Sequence, residues 1–152
     1  MIGLIAVFWL AYFSSWHHWE EFFMLLVAMV GEIILFEVIN TYVGRPRPPT
    51  QIWNILKIPG FPSGHTEATT VLFGFMAYIL VPKARSALVK FLIIFFAIFF
   101  MLLVGFSRVF TAGHYFSEVM AGYSLGFAWV TVACTLVEVH YRNRRSQNGQ
   151  KG

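Results

Sequence analysis

The chain is dominated by apolar runs that are too long and too free of charge for a water-exposed fold. Ala87–Phe106 carries a single charge, Lys90, and Phe22–Val43 carries only Glu32 and Glu37. At about 1.5 Å per residue, such runs reach the roughly 30 Å of a bilayer core. Five stretches of this kind occur: Ile2–Phe13, Phe22–Val43, Thr66–Val81, Ala87–Phe106 and Tyr115–Val139. The first reaches only about 18–24 Å, and it lacks the basic start and cleavage site of a signal peptide. The expected fold is therefore all-α: a polytopic membrane bundle of about five helices, or a six-helix core whose first helix is short or missing. Residues 1–141 form one transmembrane domain in this reading, followed by a polar, basic, frayed tail at 142–152. Composition agrees, with 58% hydrophobic and 12% charged residues against about 45–50% and 25% in soluble domains. The net charge of +4 raises nucleic acid as a partner, but no basic stripe lies on a polar face. Cys134 is the single cysteine, which excludes an internal disulfide and a cysteine metal cluster.

Lysines and arginines near the helix ends set an orientation. Lys83, Arg85 and Lys90 cluster where the third run gives way to the fourth, and Arg142, Arg144, Arg145 and Lys151 follow the fifth. An even number of crossings separates these clusters, so both are expected on the cytoplasmic side. Gly44–His65 and Ser107–His114 then share the outer side. Arg45, Arg47, Lys57 and Arg108 on that side break the positive-inside bias unless they have a task there. Trp16 and Trp19 at one end, and Trp53 at the other, fit interfacial belts.

Three short clusters converge on the outer face. Gly44-Arg45-Pro46-Arg47-Pro48 follows the second run. Its prolines stop the helix, and its guanidiniums suit either phosphate oxygens or snorkelling toward lipid head groups. Pro62-Ser63-Gly64-His65 opens the third run, making an anion-binding helix start with a hydroxyl and an imidazole beside it. Ser107-Arg108 closes the fourth run, and His114 and Glu118 stand four residues apart. That spacing shares one helical face, so a carboxylate there can fix the His114 tautomer and leave the other ring nitrogen to attack. Each cluster alone is explained nearly as well by helix capping or interfacial placement. Together they assemble cations, hydrogen-bond donors and two histidines for a phosphate dianion. One imidazole serves as nucleophile and the other as acid, and no acidic cluster offers a Mg²⁺ site. Phosphoryl transfer without a metal is the chemistry expected.

These clusters resemble the three-part signature of the type 2 phosphatidic acid phosphatase superfamily, K-x6-R-P, P-S-G-H and S-R-x5-H-x3-D. Arg47-Pro48 matches the end of the first part. Pro62-Ser63-Gly64-His65 matches the second completely. Ser107-Arg108, His114 and Glu118 match the third except at its last position. The resemblance implies that His114 is a nucleophile forming a phosphohistidine and that His65 is the general acid. Arg47, Arg108, Ser63 and the Gly64 backbone would bind phosphate, and Glu118 would replace the orienting Asp. It further implies a helical membrane enzyme that hydrolyses lipid phosphates or diphosphates and needs no cofactor. In a bacterium it would sit in the inner membrane with its site outward. Substrates of similar proteins include undecaprenyl diphosphate, phosphatidylglycerophosphate, phosphatidic acid and the lipid A 1-phosphate. A lipid-phosphate binder without turnover is the alternative.

Two positions depart from the signature. Asn40 stands where the Lys is expected, and it is assigned to phosphate as a neutral donor, as Arg45 is as an extra cation; Lys57 is an alternative source of the missing charge. Glu118 adds a methylene to the orienting acid. Glu37 falls one turn before Asn40. Glu67 reads as a helix-start charge, and His17, His18 and His140 lie at the opposite end from the site. The Phe91, Phe95, Phe96, Phe99 and Phe100 face meets lipid or an acyl chain.

Overall fold

The computed structural model describes residues 2–49 and 58–149. The expectations for Trp53 and Lys57, and for the loop Thr50–Phe61 up to residue 57, lie outside the described residues. Within them the chain is all-α, in five helices: α1 (Ile2–Ser15), α2 (Trp19–Val43), α3 (Gly64–Leu80), α4 (Ala87–Phe110) and α5 (Phe116–Gly149). Three of these, at Trp19–Val43, Ala87–Phe110 and Phe116–Asn143, are long and apolar enough to cross a membrane. Their outer faces are apolar: Phe91, Phe95, Phe96 and Phe99 of α4 are exposed and stack along the helix, as a lipid-facing surface does.

Helix α3 is the axis of the bundle and packs against each of the other four. It is shorter, at 17 residues, and its buried side includes Val71, Leu72, Phe75, Met76 and Ile79. Without a strong hydrophobic drive between helices in lipid, close packing holds such a bundle, and small residues allow it. Gly122 of α5 shows why. A β-carbon there would lie 2.8 Å from the Ser63 carbonyl oxygen and 3.1 Å from Thr66 Cβ. The close approach carries a backbone tie, since Ser63 N donates to the Glu118 carbonyl at 3.0 Å. Gly122→Val is expected to cost about 1–3 kcal/mol by overpacking and to lower the melting temperature in detergent. Gly3→Ala, where nothing lies within 4 Å, is the control and should leave that temperature unchanged; equal melting of the two variants would contradict this packing.

The C-terminal end differs from expectation. The tail was expected to fray from residue 142, yet α5 continues to Gly149. Tyr141 donates to Glu20 of α2 at 2.8 Å and Arg142 pairs with Glu138 at 3.1 Å, so polar contacts support the helix as it leaves its apolar part. At this same end Lys83 pairs with Glu21, and His18 lies 3.8 Å from Glu21. The ends of α2 and α4 and the starts of α3 and α5 meet at the other end, and they frame the site.

Candidate active site

Burial and backbone ties hold the site together. Gly113 N and His114 N both donate to the Arg108 carbonyl, at 3.0 and 3.2 Å. The turn after α4 is thereby closed, and His114 is fixed just before α5 begins. His114 and Glu118 are buried, with relative exposures of 4% and 0%, so a pair of solvated surface groups is excluded. The imidazole Nδ1 lies 2.9 Å from both Glu118 Oε2 and the Gly60 carbonyl oxygen. Both neighbours accept, so Nδ1 carries the proton and donates to them. Glu118 Oε2 also accepts from Tyr115 N at 3.2 Å. Glu118 is the third residue after the helix cap, and its reach back to the cap amide is half of a capping box. One carboxylate oxygen thus starts the helix and orients the histidine.

With Nδ1 protonated, Nε2 holds the lone pair. Arg47, which has no acceptor of its own, donates to it through Nη1 at 2.9 Å. The same guanidinium donates from Nε to the Pro59 carbonyl at 3.2 Å and from Nη1 to the Gly113 carbonyl at 3.4 Å. Burial lowers the His114 pKa from its ordinary value, opposed by the Glu118 hydrogen bond and reinforced by the Arg47 charge. Burial also lowers the Arg47 pKa, with the Glu118 charge acting the other way. The arrangement can therefore present a neutral, oriented imidazole beside a fixed cation, the pairing a histidine nucleophile needs.

The remaining expected residues fall into two groups. His65, in the first turn of α3, lies within electrostatic range of Arg108, His114 and Arg47, and it lines the same cavity as Arg47, Asn40 and Gly64. Ser63 is fully buried at the cap of α3, where its Oγ accepts from Thr66 at 3.0 Å. Arg108 sits in the last turn of α4, its Nε 3.3 Å from Ser107 Oγ. These residues surround the His114–Arg47 pair. Asn40 and Arg45, assigned to phosphate from the sequence, also have partners inside the protein. Asn40 is buried and its amide donates to the Phe61 carbonyl at 2.9 Å, which ties α2 to the loop before α3. Arg45 turns onto Glu118, Ser117 and Tyr115. A neutral amide and a cation already beside a carboxylate both find acceptors inside the protein.

Sequence reasoning missed two residues. Gly60 supplies the carbonyl for His114 Nδ1, and a β-carbon there would lie 2.9 Å from Arg47 Cγ and 3.1 Å from each Glu118 oxygen. Its only signal was a Pro-Gly pair in a loop, 54 residues from His114. Glu67 was read as a helix-start charge, yet it is fully buried and neither carboxylate oxygen has a hydrogen-bond partner. Its place facing the packed core of α3 depends on neighbours distant in sequence.

The family model described as PAP2 superfamily matches residues 21–142. The chain belongs to the PAP2 superfamily. It is accordingly an integral membrane protein of the PAP2 phosphatase type, and the match runs from the first turn of α2 into α5 and includes every residue of the site. Comparison with curated proteins and with solved structures gave no match.

Proposed function

We propose that this PAP2 protein hydrolyses the phosphate or diphosphate of a membrane lipid through a phosphohistidine on His114, without a metal, at the outer face of the membrane. The observation that carries the reading is the buried relay from Glu118 through the His114 ring to Arg47. Phosphate oxygens attract a guanidinium more strongly than a neutral imidazole does. On substrate binding the Arg47 N–H moves to phosphate, and the Nε2 lone pair is uncovered beside phosphorus. Nε2 attacks the terminal phosphorus, the bond from that phosphorus to the leaving oxygen (the lipid's own in a monophosphate, the bridging oxygen in a diphosphate) breaks, and His65 gives the leaving oxygen its proton. Arg47, Arg108, Ser63 and the Gly64 amide hold the equatorial oxygens. Water, losing its proton to His65, then displaces Nε2 from phosphorus and releases inorganic phosphate.

A cavity of about 830 Å³ supports a lipid substrate. Its lining combines Arg47, His65 and Asn40 with apolar residues including Met29, Ile33, Phe36 and Ala68, and with the acids Glu32 and Glu37 of α2. It runs from the site between α1, α2 and α3, and gives a chain a path away from its head group. The lysine and arginine distribution favours a cytoplasmic C-terminus and a site on the outer face. Undecaprenyl diphosphate, phosphatidylglycerophosphate, phosphatidic acid and the lipid A 1-phosphate are the first substrates to test.

The test is phosphate release from this panel by the detergent-purified protein, with vanadate as inhibitor and EDTA as control. Release that vanadate blocks and EDTA leaves intact is expected. Loss of activity with EDTA contradicts the mechanism, and binding without release identifies a lipid-phosphate binder. The role of His65 has its own signature. His65→Ala should lower kcat/KM for a lipid phosphate about 10²–10⁴-fold, but lower kcat/KM for p-nitrophenyl phosphate far less, because kcat/KM reports the steps up to departure of the leaving group and that leaving group departs without a proton. Equal losses on both substrates would remove His65 from the acid role.

A further inference from the structure

Arg45 stands two residues before Arg47, and the two side chains turn opposite ways. Arg47 faces His114 and the cavity. Arg45 reaches behind the pair: its Nε lies 3.6 Å from Glu118 Oε1, and its Nη1 donates to Ser117 Oγ at 2.9 Å. Its guanidinium stacks over the Tyr115 ring at 4.8 Å, and its carbonyl accepts from Gly60 N at 2.7 Å. The second carboxylate oxygen gives this contact its weight. Glu118 Oε2 is taken up by His114 Nδ1 and Tyr115 N, while Oε1 is buried without a hydrogen-bond partner. A buried carboxylate oxygen in that position is costly unless a charge faces it, and among the described residues Arg45 pairs with it at 3.6 Å.

We propose that Arg45 is a positioning residue that acts through Glu118: it balances the outer carboxylate oxygen and so sets how strongly the inner one draws on the His114 proton. The proposal rests on the reading of His114 as nucleophile. The Arg45 side chain is engaged by Glu118, Ser117 and Tyr115, and the proposal gives it this role in place of a phosphate contact. The charged groups involved come from every surrounding element. Glu118 is faced by Arg45 and Arg47 from the loop after α2 and by His114 from the turn before α5. His114 is faced by Glu118, by Arg47 and, from α3, by His65. Removing the Arg45 cation leaves the full carboxylate charge to the imidazole, so His114 becomes more basic and is protonated at a higher pH. The attacking lone pair is then lost sooner on acidification.

Arg45→Met and Arg45→Lys test this in two ways. The first is titration of the His114 ring by nuclear magnetic resonance in detergent, with its signal assigned by loss in His114→Ala. The midpoint should move to higher pH in Arg45→Met and return toward the parent protein in Arg45→Lys. The second is kinetics on a lipid phosphate. In Arg45→Met, kcat should fall about tenfold on the acid side, equivalent to about 1.4 kcal/mol, approach the parent value at alkaline pH, and leave KM within about twofold. An unmoved His114 midpoint overturns the proposal. So does a KM that rises at every pH, which would make Arg45 a phosphate ligand. The titration needs no turnover, so an inactive parent protein would defeat the proposed function while the midpoint still decides the role of Arg45.

Discussion

Replacing His114 with alanine is expected to lower kcat for phosphate release by about 10⁴-fold or more, the scale seen when a covalent nucleophile is removed. The ring is the meeting point of the site: Glu118 and Gly60 take the proton of Nδ1, and Arg47 addresses the lone pair of Nε2. Among the described residues Arg47 and Arg108 only donate, Glu118 is turned toward Nδ1, and the other imidazole, His65, is assigned to the leaving oxygen. Substrate affinity should change little, since the arginines that meet phosphate remain. Initial rates over a range of lipid phosphate concentrations separate the two quantities. A kcat within tenfold of the parent protein would mean that water attacks phosphorus directly and that His114 has another task.

Arg47→Ala is the second large loss, about 10²–10³-fold in kcat/KM, the usual cost of removing one fixed donor to a transition-state oxygen. Arg47→Lys should recover little of it. The guanidinium uses its fork, with Nε on the Pro59 carbonyl and Nη1 on His114, and a single ammonium cannot hold the loop and meet phosphate together. Comparison of kcat/KM for the two variants checks this. A lysine variant close to the parent protein would show that only charge matters at this position, and the directional role assigned to Arg47 would fall.

Much of this architecture was legible in the chain. Runs such as Ala87–Phe106 are long enough to span and carry too little charge to lie in water, and α4 forms there as Ala87–Phe110. The clusters around Arg47, His65 and His114 were legible because their chemistry depends on residue type and short spacing, and a spacing of four from His114 to Glu118 suffices for their 2.9 Å contact. What escaped depends on contacts between distant segments. Two arginines in one Gly-Arg-Pro-Arg-Pro string look alike in sequence, and only the fold of the Pro59-Gly60 loop against α5 sends one to the lone pair and the other to the carboxylate. Asn40 filled the position of a phosphate-binding lysine, but its amide meets the Phe61 carbonyl 21 residues away. Glu67 follows the same rule: a charge in the first turn of a helix has an electrostatic reason to be there, and nothing local shows that its side of α3 is buried.

The central claim is a covalent bond between phosphorus and His114 Nε2, and rapid quenching with a substrate labelled in its terminal phosphate tests it most directly. The account predicts radioactivity on the protein that is stable in alkali and labile in acid, as a phosphorus–nitrogen bond is, that maps to His114 and is absent from His114→Ala. Full turnover with no label on the protein at any quench time, or label on another residue, would contradict it.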